Sequence, residues 1–187
     1  MTQVSDDFYA KGVADFEARF KRDPQRGSAG VIIGGNNDFA RITADGIRAQ
    51  LRAVFAATEG MSRWVTTSRR TPAEVEQVVR DMAFDFRVVY SEDPFNPIPA
   101  FVTFCDTLFV TGDSTGMISE AVTRGNARVE ILMNLRKAGT KFERFVVDLE
   151  NAGCAHRFEG EMGDARRKVD LRPVMRRVAE MAGVAAS

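Results

Sequence analysis

Histidine is the scarcest chemically versatile residue in this chain of 187 residues, which contains only His156. A metal site built on two histidines is therefore excluded, and any catalytic triad would depend on this one side chain. Because His156 lies beside Arg157 and away from any acidic cluster, we interpret it as a partly exposed histidine of a loop or strand. No metal site is expected.

Cysteine and long apolar runs are also scarce. Cys105 and Cys154 stand far apart and are expected to be reduced thiols packed like small hydrophobic residues, although their positions alone leave a disulfide open. No apolar stretch reaches the length of a membrane span, and the N-terminus lacks the basic and apolar regions of a signal peptide. These features predict a cytoplasmic protein.

An excess of charge of either sign is absent as well, because 26 basic residues balance 26 acidic ones. Such a chain has no global field to attract nucleic acid or an anionic bilayer, although a local patch can still form. We expect no nucleic-acid partner. The hydrophobic content of 44% is that of a globular protein, and the length suits one domain.

Short apolar runs alternate with amphipathic helical stripes along most of the chain. The first helix carries its stripe on Tyr9, Val13, Phe16 and Phe20, and a compact apolar strand follows at 29–33. Further strands are predicted at 63–67, 86–90, 107–111 and 127–132, with helices at 47–58, 71–82, 93–104, 114–124 and 142–149. This alternation predicts an α/β fold: one doubly wound, mostly parallel sheet with helices on both faces, of the Rossmann-like kind.

We predict a single domain over residues 1–187. It comprises an N-terminal helix within 1–24, a core over 29–160 and a helical C-terminal tail over 161–187, whose last helix is lined by Val174, Val178 and Met181. The basic residues of this tail suit a solvated helix face, or contact with a membrane-bound acceptor or acidic partner. They are Arg166, Arg167, Lys168, Arg172, Arg176 and Arg177.

Ligands of such sheets bind beyond the carboxyl ends of the strands, so the loops that follow the strands carry the candidate site. After the first strand, Gly34, Gly35 and Asn36 would let the backbone approach a phosphate. The alternative is a plain tight turn, since two glycines do not make a dinucleotide fingerprint. After the next strand, Arg69 and Arg70 precede a helix that Thr71 is expected to cap.

Ser68 and those arginines are candidates for holding an anion, with a solvated surface as the alternative.

A third loop begins at Gly112, where Ser114, Thr115 and Gly116 start a helix in the geometry of an anion site. Glu120 lies within the first two turns of that helix, where a carboxylate can bind ribose hydroxyls or simply favour the helix start. A carboxylate repels phosphate, so Asp113 is expected to be a cap or a loop brace.

Four of these segments together resemble the mitochondrial-fission "elongate mitochondria" family of plants and bacteria, over about residues 30–160. Bacterial members are described as predicted glycosyltransferases or nucleoside-diphosphate-sugar epimerases. The segments are Gly34-Gly-Asn36, Thr66-Thr-Ser-Arg-Arg-Thr-Pro72, Thr111-Gly-Asp-Ser-Thr-Gly-Met-Ile-Ser-Glu-Ala121 and Lys141-Phe-Glu-Arg-Phe145.

This family in turn resembles the GT-B glycosyltransferases, whose C-terminal domain binds the nucleotide-sugar donor. The resemblance implies that Gly34 and Gly35 lie in the phosphate-side loop and that Glu120 binds the ribose. It also implies that backbone near Val89 and Tyr90 borders the base. The amides of Ser114, Thr115 and Gly116 would bind the diphosphate, and we add the hypothesis that Arg69 and Arg70 assist them. Glycines at 112 and 116 depart from the expected motif and put donor affinity in question.

The expected function is therefore donor binding in a GT-B-like system, with UDP- or GDP-linked sugar as substrate and no other cofactor. The acceptor half is missing, so the chain is a fragment, one subunit of a split enzyme, or a solitary domain that binds a ligand or partner without catalysis. No catalytic residue is predicted. Epimerase chemistry is the least favoured, since neither an acid–base pair nor a dinucleotide fingerprint is present. The Tyr9–Phe20 helix either packs on its own sheet or docks a partner, which is an acceptor subunit or a second copy.

Overall fold

A computed structural model describes residues 6–170, which form one six-stranded sheet between helices. Every strand pair is parallel, and the strand order across the sheet is β3-β2-β1-β4-β5-β6. Both statements agree with the predicted doubly wound α/β fold. The strands are β1 (Ser28–Ile33), β2 (Ser62–Thr67), β3 (Phe86–Val88), β4 (Thr107–Thr111), β5 (Arg128–Leu132) and β6 (His156–Arg157).

The helices cover both faces of this sheet. Side chains that alternate along the strands separate two apolar cores, one beneath α2 and α3 and the other beneath α1, α4, α5 and α6. No helix within residues 6–170 is both long and apolar enough to cross a bilayer. The helices are α1 (Asp6–Arg19), α2 (Ala44–Ala57), α3 (Ala73–Arg80), α4 (Ile98–Phe104), α5 (Thr115–Thr123) and α6 (Lys141–Asn151).

The apolar stripe of α1 is buried in the domain's own core. Phe16 is fully buried, and its ring lies 5.1 Å from that of Trp64 on β2 and 4.7 Å from that of Phe86 on β3. Tyr9 is buried beside α5. Of the two alternatives for this stripe, the structure therefore shows packing on the chain's own sheet.

The segment before β4 differs from its predicted form. A helix was expected from Asp93, but α4 begins only at Ile98. The Asp93 carboxylate accepts the amide of Phe95 at 3.0 Å, and Asn96 accepts the amide of Ile98 at 3.1 Å. These side-chain turns, with Pro94 and Pro97 between them, replace the first helical turn.

Two further boundaries move for a related reason. Strand β3 ends at Val88 rather than at Tyr90, because the amide of Tyr90 donates to the Thr67 hydroxyl at 2.8 Å instead of to the sheet. Thr71 does not cap α3, whose N-cap is Pro72. The Thr71 hydroxyl instead donates to the Gly34 carbonyl at 2.6 Å, which joins the ends of β1 and β2.

The described part of the tail, residues 161–170, has no regular secondary structure, whereas a helical tail was predicted. Its polar groups bind elsewhere in the domain: the Val169 amide donates to the Val122 carbonyl, and the Lys168 ammonium donates to the Ala121 and Ala127 carbonyls. Contacts to α5 and β5 thus replace helical hydrogen bonds. The predicted helix through Val174, Val178 and Met181 lies outside the described residues, as do Arg172, Arg176 and Arg177.

Candidate functional site

Three loops meet at the carboxyl ends of β1, β2 and β4, and Asp113 joins them. Its carboxylate accepts the Thr111 hydroxyl at 2.6 Å and the Gly35 amide at 2.9 Å, and its backbone carbonyl accepts the Asn37 side-chain amide. Asp113 is therefore a brace between loops, while Ser114 caps the helix that follows.

The close packing of these loops explains the glycine pair. A Cβ atom built on Gly34 would lie 2.2 Å from the Asp113 carboxylate, and one on Gly35 would lie 2.1 Å from the Arg70 carbonyl oxygen. Neither position has room for a side chain. Both amides are already used, because Gly34 donates to the Thr111 hydroxyl at 2.8 Å and Gly35 donates to Asp113. In this arrangement the pair shapes the loop and has no amide free for a phosphate.

Burial raises the pKa of the Asp113 carboxyl above its ordinary value, while the Thr111 hydroxyl, the Gly35 amide and Arg70 oppose that shift. The Arg70 guanidinium lies 3.7 Å from the carboxylate and is half exposed. Arg70 therefore compensates a buried charge at the loop junction, which is a different task from the phosphate contact proposed for it on sequence.

Asn36 and Ser68 also hold the loops. The Asn36 side-chain oxygen accepts the Ile42 amide at 2.7 Å, which fixes the exit of the first loop. The Ser68 amide donates to the Thr71 hydroxyl at 2.8 Å, and the Ser68 hydroxyl accepts the Arg70 amide at 3.3 Å. Arg69 is exposed on the same turn.

Helix α5 begins at the same edge of the sheet with donors available. The Ser114 hydroxyl accepts the Met117 amide at 3.4 Å, and its carbonyl accepts the Ile118 amide at 3.1 Å. Among residues 6–170, no group accepts the amides of Thr115 and Gly116. These two amides, at the positive end of the helix dipole, are the part of the predicted anion site that stays accessible.

Glu120 faces α1. Its carboxylate accepts a hydrogen bond from the Tyr9 hydroxyl, and the Arg124 guanidinium lies 4.2 Å from the centre of the Tyr9 ring. Burial, followed by the hydrogen bond to Glu120, raises the pKa of the Tyr9 phenol strongly. The ribose role of Glu120 stays a prediction, and in this structure the carboxylate has a protein partner instead.

A cleft of about 300 Å³ opens between the strand ends and α5. Its floor is formed at the carboxyl ends of β1 and β2, and its walls combine hydroxyl groups with apolar and aromatic side chains. Three of the predicted site residues line it, namely Ser68, Arg69 and Tyr90. The other lining residues are Ile32, Ile33, Thr66, Thr67, Pro94, Phe95, Asn96, Ile98 and Met117.

Phe95, Asn96 and Met117 were not singled out from the sequence. The proline-rich run that contains Phe95 and Asn96 was assigned to a helix, which hid its position at the mouth of the cleft. Met117 follows the anion-site residues of α5 by one position and brings the cleft to the first turn of that helix. Its apolar character gave no sign of a binding role.

His156 is a partly exposed strand residue, as predicted, but the sequence did not show its acidic partner. Its Nδ1 atom is 2.6 Å from the Glu130 carboxylate, whose other oxygen accepts the Gly163 amide at 2.8 Å. Glu130 is fully buried on β5, whereas His156 is partly exposed on β6. The strand pairing that joins them connects residues 26 apart, which a local reading of the sequence does not show.

These features define the class of protein. The sheet is parallel with the strand order of Rossmann-like folds, and a cleft lies at the carboxyl ends of its central strands. Residues 1–186 match the mitochondrial fission ELM1 family, and the chain belongs to that family. No curated protein shows significant similarity to it.

Two solved structures show what the fold is similar to. Peptidyl-cysteine decarboxylase EpiD superposes with a TM-score of 0.50 at 11% sequence identity, over 81% of this chain and 97% of that one. AnUbiX (PadA1), solved with FMN and dimethylallyl pyrophosphate, gives a TM-score of 0.43 at 11% identity, over 71% of this chain and 76% of that one. At such identities the similarity to EpiD shows a shared Rossmann-like fold and nothing of the chemistry.

Proposed function

We propose that this chain binds the nucleoside diphosphate part of a nucleotide sugar and serves as the donor-binding domain of a GT-B-like glycosyltransferase system. The observation that carries the proposal is the cleft that runs from the strand ends to the first turn of α5. Its walls are aromatic and apolar, and Met117 brings it to the first turn of α5, where the unpaired amides of Thr115 and Gly116 directly precede that lining residue.

The base and ribose fit the apolar part of this cleft. Tyr90 and Phe95 supply ring surface, and Asn96 and Thr66 supply polar groups that can select hydrogen-bonding edges. The volume of about 300 Å³ is at the small end of the range for ligand pockets, which suits one nucleoside and leaves the sugar at the mouth.

The diphosphate is assigned to the amides of Thr115 and Gly116, with Arg69 as a counter-charge. Arg69 lines the cleft and forms no ion pair within residues 6–170. In glycosyl transfer, the bond between the sugar and the diphosphate breaks and negative charge accumulates on the leaving diphosphate. Fixed amides, a helix dipole and a guanidinium stabilise that charge without rearranging.

Calorimetric titration with UDP, GDP, uridine and inorganic pyrophosphate tests this site. We expect UDP or GDP to bind with a dissociation constant on the order of micromolar, or about −8 kcal/mol. Arg69→Ala should weaken diphosphate binding about tenfold and leave uridine binding unchanged, because only the phosphates face the guanidinium. A protein that binds no nucleotide at millimolar concentration would instead be a partner-binding domain without this donor site.

Thr115→Pro probes the helix amide directly. Thr115 is the first helical residue, where proline is tolerated, and Ser114 before it has the extended backbone that proline requires (φ −123°, ψ 100°). The substitution therefore removes one free donor and keeps the helix. Ala44→Pro is the matched control, since Thr43 is also extended and α2 does not line the cleft. If both variants bind UDP with equal affinity, the first amide of α5 does not contact the ligand.

A further inference from the structure

A small surface that is rich in basic and aromatic residues lies at the carboxyl edge of the sheet. We name it the basic–aromatic patch and define it as Phe39, Arg41, Arg136, Lys141, Phe142 and Arg144. The chain as a whole has no net charge. The patch nevertheless contains four exposed basic residues, of which Lys141 lies over its two aromatic rings.

Backbone hydrogen bonds bring the parts of the patch together. Ala40 forms an antiparallel bridge with Leu135, the Arg41 amide donates to the Asn134 carbonyl at 3.0 Å, and the Arg136 amide donates to the Phe39 carbonyl at 2.9 Å. The loops after β1 and β5 are thus joined edge to edge. The patch is a property of this tertiary contact, because its members lie about a hundred residues apart in sequence.

The aromatic pair is held at the surface. The rings of Phe39 and Phe142 have centroids 4.5 Å apart, and the Lys141 ammonium lies 5.6 and 5.5 Å from them. Phe39 is 37% exposed, and with Phe8 it is one of two large apolar side chains in residues 6–170 that are classed as exposed. Contact between an aromatic side chain and water is unfavourable, so Phe39 would be stabilised by contact with an apolar partner.

Among the residues that the structure describes, the four cations of the patch have no acidic side chain as an ion-pair partner. Elsewhere in residues 6–170, basic side chains commonly pair with carboxylates, as Arg26 does with Asp85 and Arg80 with Glu92. None of the four patch cations forms such an ion pair with a residue of the described part of the chain. The nearest acidic residues in sequence are Asp38 and Glu143, and Glu143 already accepts the Gly139 amide. The patch keeps a net positive charge available to an external anion.

We infer that the basic–aromatic patch docks the protein on the surface of an anionic phospholipid bilayer. Exposed basic residues beside a partly exposed aromatic pair match a bilayer interface, where phosphates lie above hydrocarbon. A single-stranded polynucleotide fits less well, because base stacking needs open ring faces and these two rings pack on each other beneath Lys141. The inference is independent of the proposed nucleotide site, since no patch residue lines the cleft.

Co-sedimentation with vesicles tests the inference on the full chain. Phosphatidylcholine vesicles that contain phosphatidylglycerol should bind the protein, pure phosphatidylcholine should not, and binding should fall as salt is added. Lys141→Gln/Arg144→Gln should weaken binding about 25-fold, from about fivefold for each basic residue removed. Phe39→Ala should weaken it several-fold at unchanged net charge, and Trp64 fluorescence checks that each variant is folded.

Lys21→Gln/Arg22→Gln is the matched control, because it removes the same charge from two exposed residues between α1 and the start of β1, away from the carboxyl edge that carries the patch. If this control variant binds vesicles as weakly as Lys141→Gln/Arg144→Gln does, the inference is wrong. It is also wrong if the wild-type protein binds neither type of vesicle. Two competitors decide the nature of the anion. If inorganic phosphate at matched ionic strength displaces the vesicles, or a single-stranded oligonucleotide binds more tightly than they do, the bilayer assignment is wrong.

Discussion

Phe16 provides the sharpest test of whether α1 is part of this domain. The side chain is fully buried, and five aromatic rings lie within 6.3 Å of its ring centre. Phe16→Ala removes that ring from a packed cluster and should cost about 3–5 kcal/mol in the free energy of unfolding. A typical domain is stable by only about 5–15 kcal/mol, so the variant should be marginally folded.

Urea unfolding followed by tryptophan fluorescence measures this loss. The protein has one tryptophan, Trp64, which is buried with its ring 5.1 Å from that of Phe16. Phe16→Leu keeps most of the volume and should cost no more than about 1.5 kcal/mol, which leaves a measurable transition. Phe8→Ala is the control, because its ring is 45% exposed and contacts the edge of Tyr9, so the loss should be smaller, at about 1 kcal/mol. Equal midpoints for the alanine variants at 8 and 16 would show that α1 does not pack on this sheet.

Two further predictions concern the loops and the tail. Gly35→Ala should destabilise the domain and weaken nucleotide binding together, because its Cβ would meet the Arg70 carbonyl at 2.1 Å; Gly60→Ala, at a positive φ but with open space around it, should reduce stability alone. Burial lowers the pKa of Lys168 to about 8 from 10.5. Between these pH values Lys168 binds more protons in the unfolded chain than in the folded one, so the free energy of unfolding should rise with pH from about 8 to 10.5. Urea titrations of the wild type and of Lys168→Met measure this rise. A difference in unfolding free energy between the two proteins that does not change with pH would contradict the burial of this charge.

The fold was predictable because its signals are local. Short apolar runs such as 29–33 and 107–111 became strands buried on both faces, and a helix predicted at 114–124 was found at Thr115–Thr123. When short buried strands alternate with amphipathic helices and each crossover is right-handed, a parallel sheet is the result. Two of the boundaries that moved, at Tyr90 and Thr71, are those where an amide or hydroxyl took a partner at the end of another strand.

The site was predictable only to the level of its loops. Sequence placed Gly34, Gly35 and Asp113 at strand ends, which is correct, but it could not show that the Gly35 amide is bound to a carboxylate 78 residues further along the chain. Hydrogen bonds between loops depend on register across the sheet. The same limit hid the contact of Glu130 with His156. A residue type therefore indicates available chemistry, while tertiary contacts decide whether that chemistry is free.

Helix α1 links these findings, because it contacts both sides of the cleft. At one end, Tyr9 binds the Glu120 carboxylate on α5, and at the other, Arg19 pairs with Asp93 at 2.5 Å and lies 4.1 Å from the centre of the Phe95 ring. The wall that contains Phe95 has no regular secondary structure of its own and is fixed partly by these contacts. The apolar stripe of α1, for which packing on the sheet and docking of a partner were both considered, thus supports the walls of the candidate cleft.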